Sequence, residues 1–257
     1  MTTSAPQYDD VARDYERLIA PRYARVAQSI VDAIALRPDD AVLDIGAGTG
    51  GVARLVLRRL GASGRLTLLD VSPSMLDVAR ETLEATGSSG AAVDYVVGDL
   101  AALPMAAATY THVVAQFTPL QDSDPGLAEA ARVLTPQGRL TIAYWGPAYR
   151  ELDLLNRVRA RVGIEPAVPP DGETVAGRVR AAGFDDVELR ELRFPSSYAD
   201  ADSYLSYRAA FGRAVSVDQE TWQRYWSALE DEIGRMAAAE GSVELDWSVI
   251  LLTAARA

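Results

Sequence analysis

The chain contains no cysteine and a single histidine, His112. The absence of cysteine excludes disulfides, thiolate zinc sites, iron–sulfur clusters and a thiol nucleophile. One histidine leaves little for a metal cluster or a serine–histidine triad, so we expect no metal site. Because His112 falls in the middle of a predicted strand, away from the carboxyl ends where open α/β sheets bind ligands, we expect it to be buried and structural rather than catalytic.

Lysine and long hydrophobic runs are also missing. All 25 basic residues are arginine, against 36 acidic residues, and the net charge of the 257-residue chain is −11. An acidic surface repels nucleic-acid phosphates and anionic lipids. The longest apolar runs are too short for a membrane span, and the polar start of the chain lacks the plan of a signal peptide. We therefore expect a cytoplasmic protein without nucleic-acid or membrane partners.

What the chain does contain is a regular alternation of short apolar strands and helices up to about residue 146. Residues 41–45 form an apolar run that ends in glycines, as is typical of a strand buried on both faces. Strands and helices at this spacing predict right-handed βαβ units and a parallel sheet. In the fourth of these units, Asp124 is the predicted N-cap of the helix.

The loop after this first strand, residues 46–51 (GAGTGG), lets a ligand approach the backbone closely. Its glycine spacing also fits the dinucleotide-binding pattern. Asp70 ends the next strand, where a carboxylate accepts hydrogen bonds from ribose hydroxyls. The two features together predict a cofactor that contains a nucleoside. The alternatives are a bare strand–helix turn at the loop and a simple helix cap at Asp70.

Asp44 distinguishes between the possible cofactors. It lies two residues before the first glycine, where a dinucleotide would place its pyrophosphate, and burying a carboxylate there would cost several kcal/mol. A ligand that carries an ammonium and a sulfonium would instead be attracted to Asp44. The sequence therefore predicts S-adenosylmethionine. Asp99 ends the third βα unit and can accept a hydrogen bond from the adenine amino group; its alternative role is a helix cap.

Four segments, in this order and spacing, resemble the successive motifs of class I S-adenosylmethionine-dependent methyltransferases: residues 42–51, 68–76, 96–104 and 131–145. The nearest branch is the small-molecule enzymes similar to the ubiquinone and menaquinone C-methyltransferases. The resemblance implies a Rossmann-like, doubly wound α/β fold. Its seven strands would follow the order 3-2-1-4-5-7-6, with the last strand antiparallel and a helical cap. S-adenosylhomocysteine would be the product.

The resemblance also implies which residues bind the cofactor. Asp44 and the glycines would line the methionine end, and Asp70 would hold the ribose. Asp99 would read the adenine, and Tyr15 would close over the cofactor. The full predicted set is Tyr15, Asp44, Gly46, Ala47, Gly48, Thr49, Gly50, Asp70, Val71, Met75, Asp99, Leu100 and Gln116.

The catalytic residues are less well defined by the sequence. Related enzymes often place histidines after the fourth strand, but this chain has Leu120 and Gln121 there. We therefore predict an acceptor that is already reactive, namely an amine, a phenolate or an enol carbon, oriented by Tyr15 and Gln121. One alternative is an enzyme that uses the bound cofactor for cyclisation, decarboxylation or rearrangement without methyl transfer. A non-catalytic binding subunit is another.

Aromatic residues outside the sheet predict a small apolar or aromatic substrate, such as an intermediate of bacterial secondary metabolism. The predicted substrate residues are Tyr23, Trp145, Tyr149, Tyr204 and Tyr207. We expect one methyltransferase domain over residues 1–257, as a monomer or homodimer. Its predicted parts are N-terminal cap helices (1–36), a cofactor-binding core (37–146), cap insertions (147–176 and 195–242), and a last helix with the last strands (177–194 and 243–257).

Overall fold

The computed structural model describes residues 11–87, 90–147, 149–209 and 217–257. Seven strands in these ranges form one mixed sheet, which confirms the predicted fold class. The strands are β1 (Ala41–Ile45), β2 (Arg65–Asp70), β3 (Ala92–Val97), β4 (Tyr110–Gln116), β5 (Leu134–Trp145), β6 (Phe184–Tyr198) and β7 (Val243–Arg256). Their order in the sheet is β3-β2-β1-β4-β5-β7-β6, as predicted.

Helices connect and flank these strands. They are α1 (Ala20–Ala33), α2 (Gly51–Leu57), α3 (Pro73–Thr86), α4 (Asp124–Val133), α5 (Arg150–Arg161), α6 (Gly172–Ala181), α7 (Ala201–Ala209) and α8 (Gln219–Glu240). A helical turn (Ala12–Asp14) and a π-helical turn (Tyr15–Ile19) precede α1, and a 3₁₀ helix (Pro119–Asp122) follows β4. The first ten residues of the predicted cap lie outside the described residues.

The position of β1 determines where a ligand can bind. It pairs in parallel with β2 on one side and with β4 on the other, so Asp44 lies level with Leu68 and Val114. Val42 and Ile45 are fully buried, as expected of a strand that is covered on both faces. Because the strand order reverses between β1 and β4, the carboxyl ends of these two strands form the crevice in which open α/β sheets bind ligands.

The chain divides into two compact units. The first contains residues 1–144, 170–190 and 250–257, and it includes β1 to β4 with the loops at their carboxyl ends. The second contains residues 145–169 and 191–249, which include α5, α7 and α8. The prediction of a single domain with cap insertions stays a prediction.

One local prediction was wrong. Ser123, not Asp124, caps α4: the Ser123 hydroxyl accepts a hydrogen bond from the Gly126 N–H at 3.1 Å. The backbone of Ser123 is extended, at φ −111° and ψ 98°, whereas Asp124 is already the first helical residue. An N-cap residue needs non-helical backbone angles, so the residue before Asp124 takes this role.

Candidate active site

The glycine loop between β1 and α2 adopts backbone angles that other residues avoid. Gly46 and Gly48 have φ values of +66° and +54°. A Cβ at Gly46 would lie 2.3 Å from the Thr118 side chain, so this position has no room for one. A Cβ at Gly48 would meet no atom within 4 Å. The loop therefore packs tightly on the segment after β4 at its first glycine and leaves open space at its second.

Asp70, at the end of β2, connects two loops. One carboxylate oxygen accepts a hydrogen bond from the Gly48 N–H at 2.8 Å, and the other accepts from the Ser72 N–H at 3.0 Å. Ser72 in turn caps α3 by accepting from the Met75 N–H at 3.2 Å. Val71, the next residue, leaves 37% of its surface exposed. The end of β2 thus presents a fixed carboxylate beside an exposed apolar side chain.

Asp44 is a buried carboxylate with an unused acceptor. Its side chain is 1% exposed, and its Oδ2 has no hydrogen-bond partner among the described residues. Burial, together with the negative charge of Asp70, raises the pKa of Asp44 to about 8. Such a group is costly unless a donor or a cation is brought to it.

Asp44 lies in a cleft that is partly open to solvent. Gln116 also faces it. The Gln116 Nε2 donates to the Tyr23 carbonyl oxygen at 3.4 Å, and the buried Oε1 has no partner within the described ranges. The residues that line the cleft are Tyr15, Ala20, Tyr23, Asp44, Gly46, Ala47, Gly48, Thr49, Gly51, Val52 and Gln116.

Two unsatisfied acceptors, on Asp44 and Gln116, therefore lie in the same cleft. A phosphate group would bring more acceptors and more negative charge, which would add to the cost of both groups. An ammonium would bring donors and a compensating charge. The side chains at this site therefore fit the amino-acid end of S-adenosylmethionine and not the pyrophosphate of a dinucleotide.

Comparison with known proteins agrees with this chemistry. A family model described as "Methyltransferase domain" matches residues 42–138. The ubiquinone/menaquinone biosynthesis C-methyltransferase UbiE of Bordetella parapertussis is 34% identical over 179 residues, which cover 62% of this chain and 68% of that protein. The chain belongs to the class I S-adenosylmethionine-dependent methyltransferases. S-adenosylmethionine is accordingly its cofactor.

Solved structures agree with the fold of this methyltransferase. The YcgJ protein from Bacillus subtilis has a TM-score of 0.63 at 15% identity, over 90% of this chain and 98% of that chain. A phosphoethanolamine N-methyltransferase 2 of Haemonchus contortus, solved with S-adenosylhomocysteine, has a TM-score of 0.61 at 16% identity, over 100% of this chain and 60% of that chain. At these identities the likeness concerns the fold alone.

Four other predicted cofactor residues of the methyltransferase, Tyr15, Met75, Asp99 and Leu100, differ in their burial and their contacts. Tyr15 lies in the π-helical turn and lines the cleft, and it packs against a small core cluster that contains Met75, which is 3% exposed. Asp99 is exposed, and its carboxylate accepts from the Ala101 N–H at 2.9 Å. Leu100 is half-buried against the main core. Adenine contacts by Met75, Asp99 and Leu100 stay predictions.

The segment after β4 contains a feature that sequence analysis missed. Phe117 has a φ of +54°, a conformation that bulky residues rarely adopt and that is often found at functional sites. Its ring lies 4.5 Å from the ring of Tyr23, one of the cleft residues. Phenylalanine strongly favours strands, so the sequence carries no local signal for this turn.

The other predicted substrate residues lie in the second unit of the methyltransferase. The rings of Trp145 and Tyr149 stack at 5.8 Å. Tyr204 and Tyr207 are buried, and the Tyr204 hydroxyl donates to Glu151 at 3.3 Å. These contacts are all made within the second unit. The substrate roles of the four residues stay predictions.

His112 is buried, as expected. It is 6% exposed, and its Nε2 lies 3.4 Å from the Asp40 carboxylate. Burial lowers the pKa of His112 more than Asp40 raises it. In the part of the chain that the structure describes, no group of acidic and histidine side chains could hold a metal ion. Within the same residues, no helix is long and apolar enough to cross a membrane.

Proposed function

We propose that this methyltransferase transfers the methyl group of S-adenosylmethionine to a small apolar or aromatic acceptor at an oxygen, nitrogen or carbon atom. The observation that carries the proposal is the cleft with unsatisfied acceptors on Asp44 and Gln116, which calls for a cationic, donor-rich cofactor. The UbiE relatives are named as C-methyltransferases of ubiquinone and menaquinone biosynthesis. That name favours carbon in an electron-rich ring as the methylated atom.

In this proposal each part of the site holds one part of the cofactor. Asp44 and Gln116 accept hydrogen bonds from its ammonium group, and the glycine loop accommodates the methionine portion. Asp70 accepts from the ribose hydroxyls, and the exposed side chain of Val71 packs against adenine. Tyr15 covers the site from the π-helical turn. Ala47, Thr49 and Gly50 lie in the same glycine loop, and their contacts with the cofactor stay predictions.

Bound S-adenosylmethionine would supply a methyl group on a positively charged sulfur, and S-adenosylhomocysteine would be the leaving group when the acceptor takes the methyl. The protein must align the acceptor and exclude water. Among the described cleft residues, the ionisable side chains are those of Asp44, Tyr15 and Tyr23. Asp44 is committed to the ammonium, so we propose an acceptor that needs little help from a base. Tyr15 and Gln121 orient it. A role in secondary metabolism and a cytoplasmic location stay predictions.

The test is incubation with methyl-labelled S-adenosylmethionine and a panel of small phenols, enols and aromatic amines. Label in an acceptor product supports the proposal. Turnover without label would instead indicate cyclisation, decarboxylation or rearrangement, and cofactor binding without any turnover would indicate a binding subunit. The variant Asp44→Asn should lose most labelled product, whereas Asp94→Asn, at an exposed carboxylate of β3, should keep it.

A further inference from the structure

Two charged side chains of α4 hold the loop between β3 and β4 (residues 98–109). The Glu129 carboxylate accepts a hydrogen bond from the Leu103 N–H at 2.8 Å. The Arg132 guanidinium donates to the carbonyl oxygens of Leu103 and Met105 at 3.0 and 2.8 Å. The two side chains thus bind both backbone polar groups of Leu103, and the middle of the β3–β4 loop is fixed to one helix.

Glu129 and Arg132 also bind each other. The Arg132 Nε and one of its terminal nitrogens each donate to the Glu129 carboxylate at 2.7 Å. The planar fork of arginine therefore supplies donors to a carboxylate and to two carbonyl oxygens at once. Hydrogen bonding to Arg132 lowers the pKa of Glu129, so the pair is ionised at neutral pH. Because a partly exposed ion pair adds little stability by itself, its main consequence is the position of the backbone groups that it holds.

The beginning of the β3–β4 loop lies beside Asp70. Val97, the last residue of β3, pairs with Asp70 across the sheet, and the Gly98 N–H donates to the Asp70 carbonyl oxygen at 3.0 Å. The loop closes on itself, since a Cβ at Gly98 would lie 3.7 Å from the ring of Pro104. Asp99, the predicted adenine residue, therefore lies between a contact with the end of β2 and the contacts with α4.

The same face of α4 also receives the side chain of Leu100. A Cβ at Gly126 would collide with the Leu100 side chain, so only glycine lets the β3–β4 loop approach the helix here. Gly126, Glu129 and Arg132 follow each other at intervals of three residues, which places them on one side of the helix. One face of α4 thus holds the loop from Leu100 to Met105.

We propose that Glu129 and Arg132 are positioning residues of the cofactor site. By fixing the β3–β4 loop, they hold the Asp99 carboxylate where it accepts a hydrogen bond from the 6-amino group of the cofactor's purine. This inference rests on the proposed placement of the cofactor beside Asp70, and it adds two residues that do not touch the cofactor themselves. Asp99 is exposed, so its position depends on how firmly the loop is held.

The test is titration calorimetry with S-adenosylhomocysteine and S-inosylhomocysteine, which carries an oxo group in place of the 6-amino group. The wild type should bind the adenosyl compound about tenfold more tightly or better, because the oxo group offers the Asp99 carboxylate a second acceptor instead of a donor. Arg132→Gln and Glu129→Ala should reduce this preference to about threefold or less, mainly through weaker binding of the adenosyl compound. Glu129→Gln keeps an acceptor for the Leu103 N–H, so its preference should lie between those of Glu129→Ala and the wild type.

The matched control is Arg59→Gln. Arg59 follows α2 and donates to the Val31 carbonyl oxygen at 3.1 Å and to the Asp32 carboxylate at 2.8 Å. Its side chain is 42% exposed, against 36% for Arg132. The control loses the same kinds of bond away from the β3–β4 loop, so it should keep both the preference and the affinity of the wild type.

A purely structural ion pair would give a different result: Arg132→Gln and Glu129→Ala would lower the free energy of unfolding and keep the preference for the adenosyl compound. That result would overturn the inference, and so would equal binding of the two compounds by the wild type. Binding is measured without turnover, so absence of methyl transfer would count only against the proposed function.

Discussion

Replacing Asp44 by asparagine is expected to stabilise the cofactor-free protein and to weaken cofactor binding. In the fold, the pKa of Asp44 rises from 3.8 to about 8. The folded protein therefore holds a proton that the unfolded chain releases, so the free energy of unfolding falls as the pH increases between these values. Each pH unit removes about 1.4 kcal/mol, which amounts to about 4 kcal/mol at pH 7 and at most about 6 kcal/mol above pH 8.

Asparagine keeps the shape of the side chain and cannot ionise. Asp44→Asn should match the wild type at pH 4 and exceed its free energy of unfolding by a margin that grows up to pH 8. Urea unfolding of the cofactor-free protein at pH 5, 7 and 8.5 measures this margin. The control Asp94→Asn removes an exposed carboxylate of the same sheet, so its stability should change by less than about 0.5 kcal/mol at any pH.

Cofactor binding should show the opposite effect. At neutral pH the carboxyl of Asp44 must release its proton before it can pair with the ammonium, so affinity should increase up to tenfold per unit between pH 6 and pH 7.5. Titration calorimetry in buffers of different ionisation enthalpy would detect the released proton. If Asp44→Asn kept the affinity of the wild type, or if its stability margin did not change with pH, the assignment of Asp44 would be wrong.

Three further predictions concern other positions. Gly46→Ala should destabilise the fold and abolish cofactor binding, because its Cβ would lie 2.3 Å from the Thr118 side chain. Gly48→Ala has open space around its Cβ, so it should lower the free energy of unfolding in urea by only about 1–2 kcal/mol, the cost of backbone strain. Asp70→Ala should weaken cofactor binding by about 1–3 kcal/mol in calorimetry, since the Gly48 N–H and the ribose each lose a partner; unchanged affinity would count against the site. His112→Gln should leave the rate of labelled-methyl transfer within about twofold of the wild type, and a large loss would restore the histidine as a candidate base.

The sheet and the cofactor loop could be predicted because their signals are local. The run at residues 41–45 is apolar except for Asp44, and the glycines follow it directly. The strand, the turn and the helix can therefore each be recognised from the sequence. Asp44 was proposed as a cofactor residue from its position alone, since a carboxylate before that loop suits a cationic ligand, and this role stays a prediction. Its raised pKa and its unsatisfied oxygen follow from the burial that the strand pattern predicts.

The segment after β4 could not be predicted in the same way. The left-handed backbone of Phe117 depends on packing against residues that are far away in the chain, such as Tyr23. The N-cap of α4 was misplaced by one residue, because serine and aspartate are both good caps and only the backbone angles separate them. Tertiary contacts decide which of two neighbouring residues becomes the N-cap.

The π-helical turn at Tyr15–Ile19 makes this region tolerant of the loss of one residue. Such a turn holds an extra residue compared with an α-helix. Loss of one codon there, for instance that of the exposed Arg17, would let the backbone relax into regular α-helix and leave Tyr15 at nearly the same angle around the axis. The same loss from the regular helix α1 beyond Tyr23 would instead turn Tyr15 by about 100° around the axis, away from the cleft, although every cleft side chain would still be encoded.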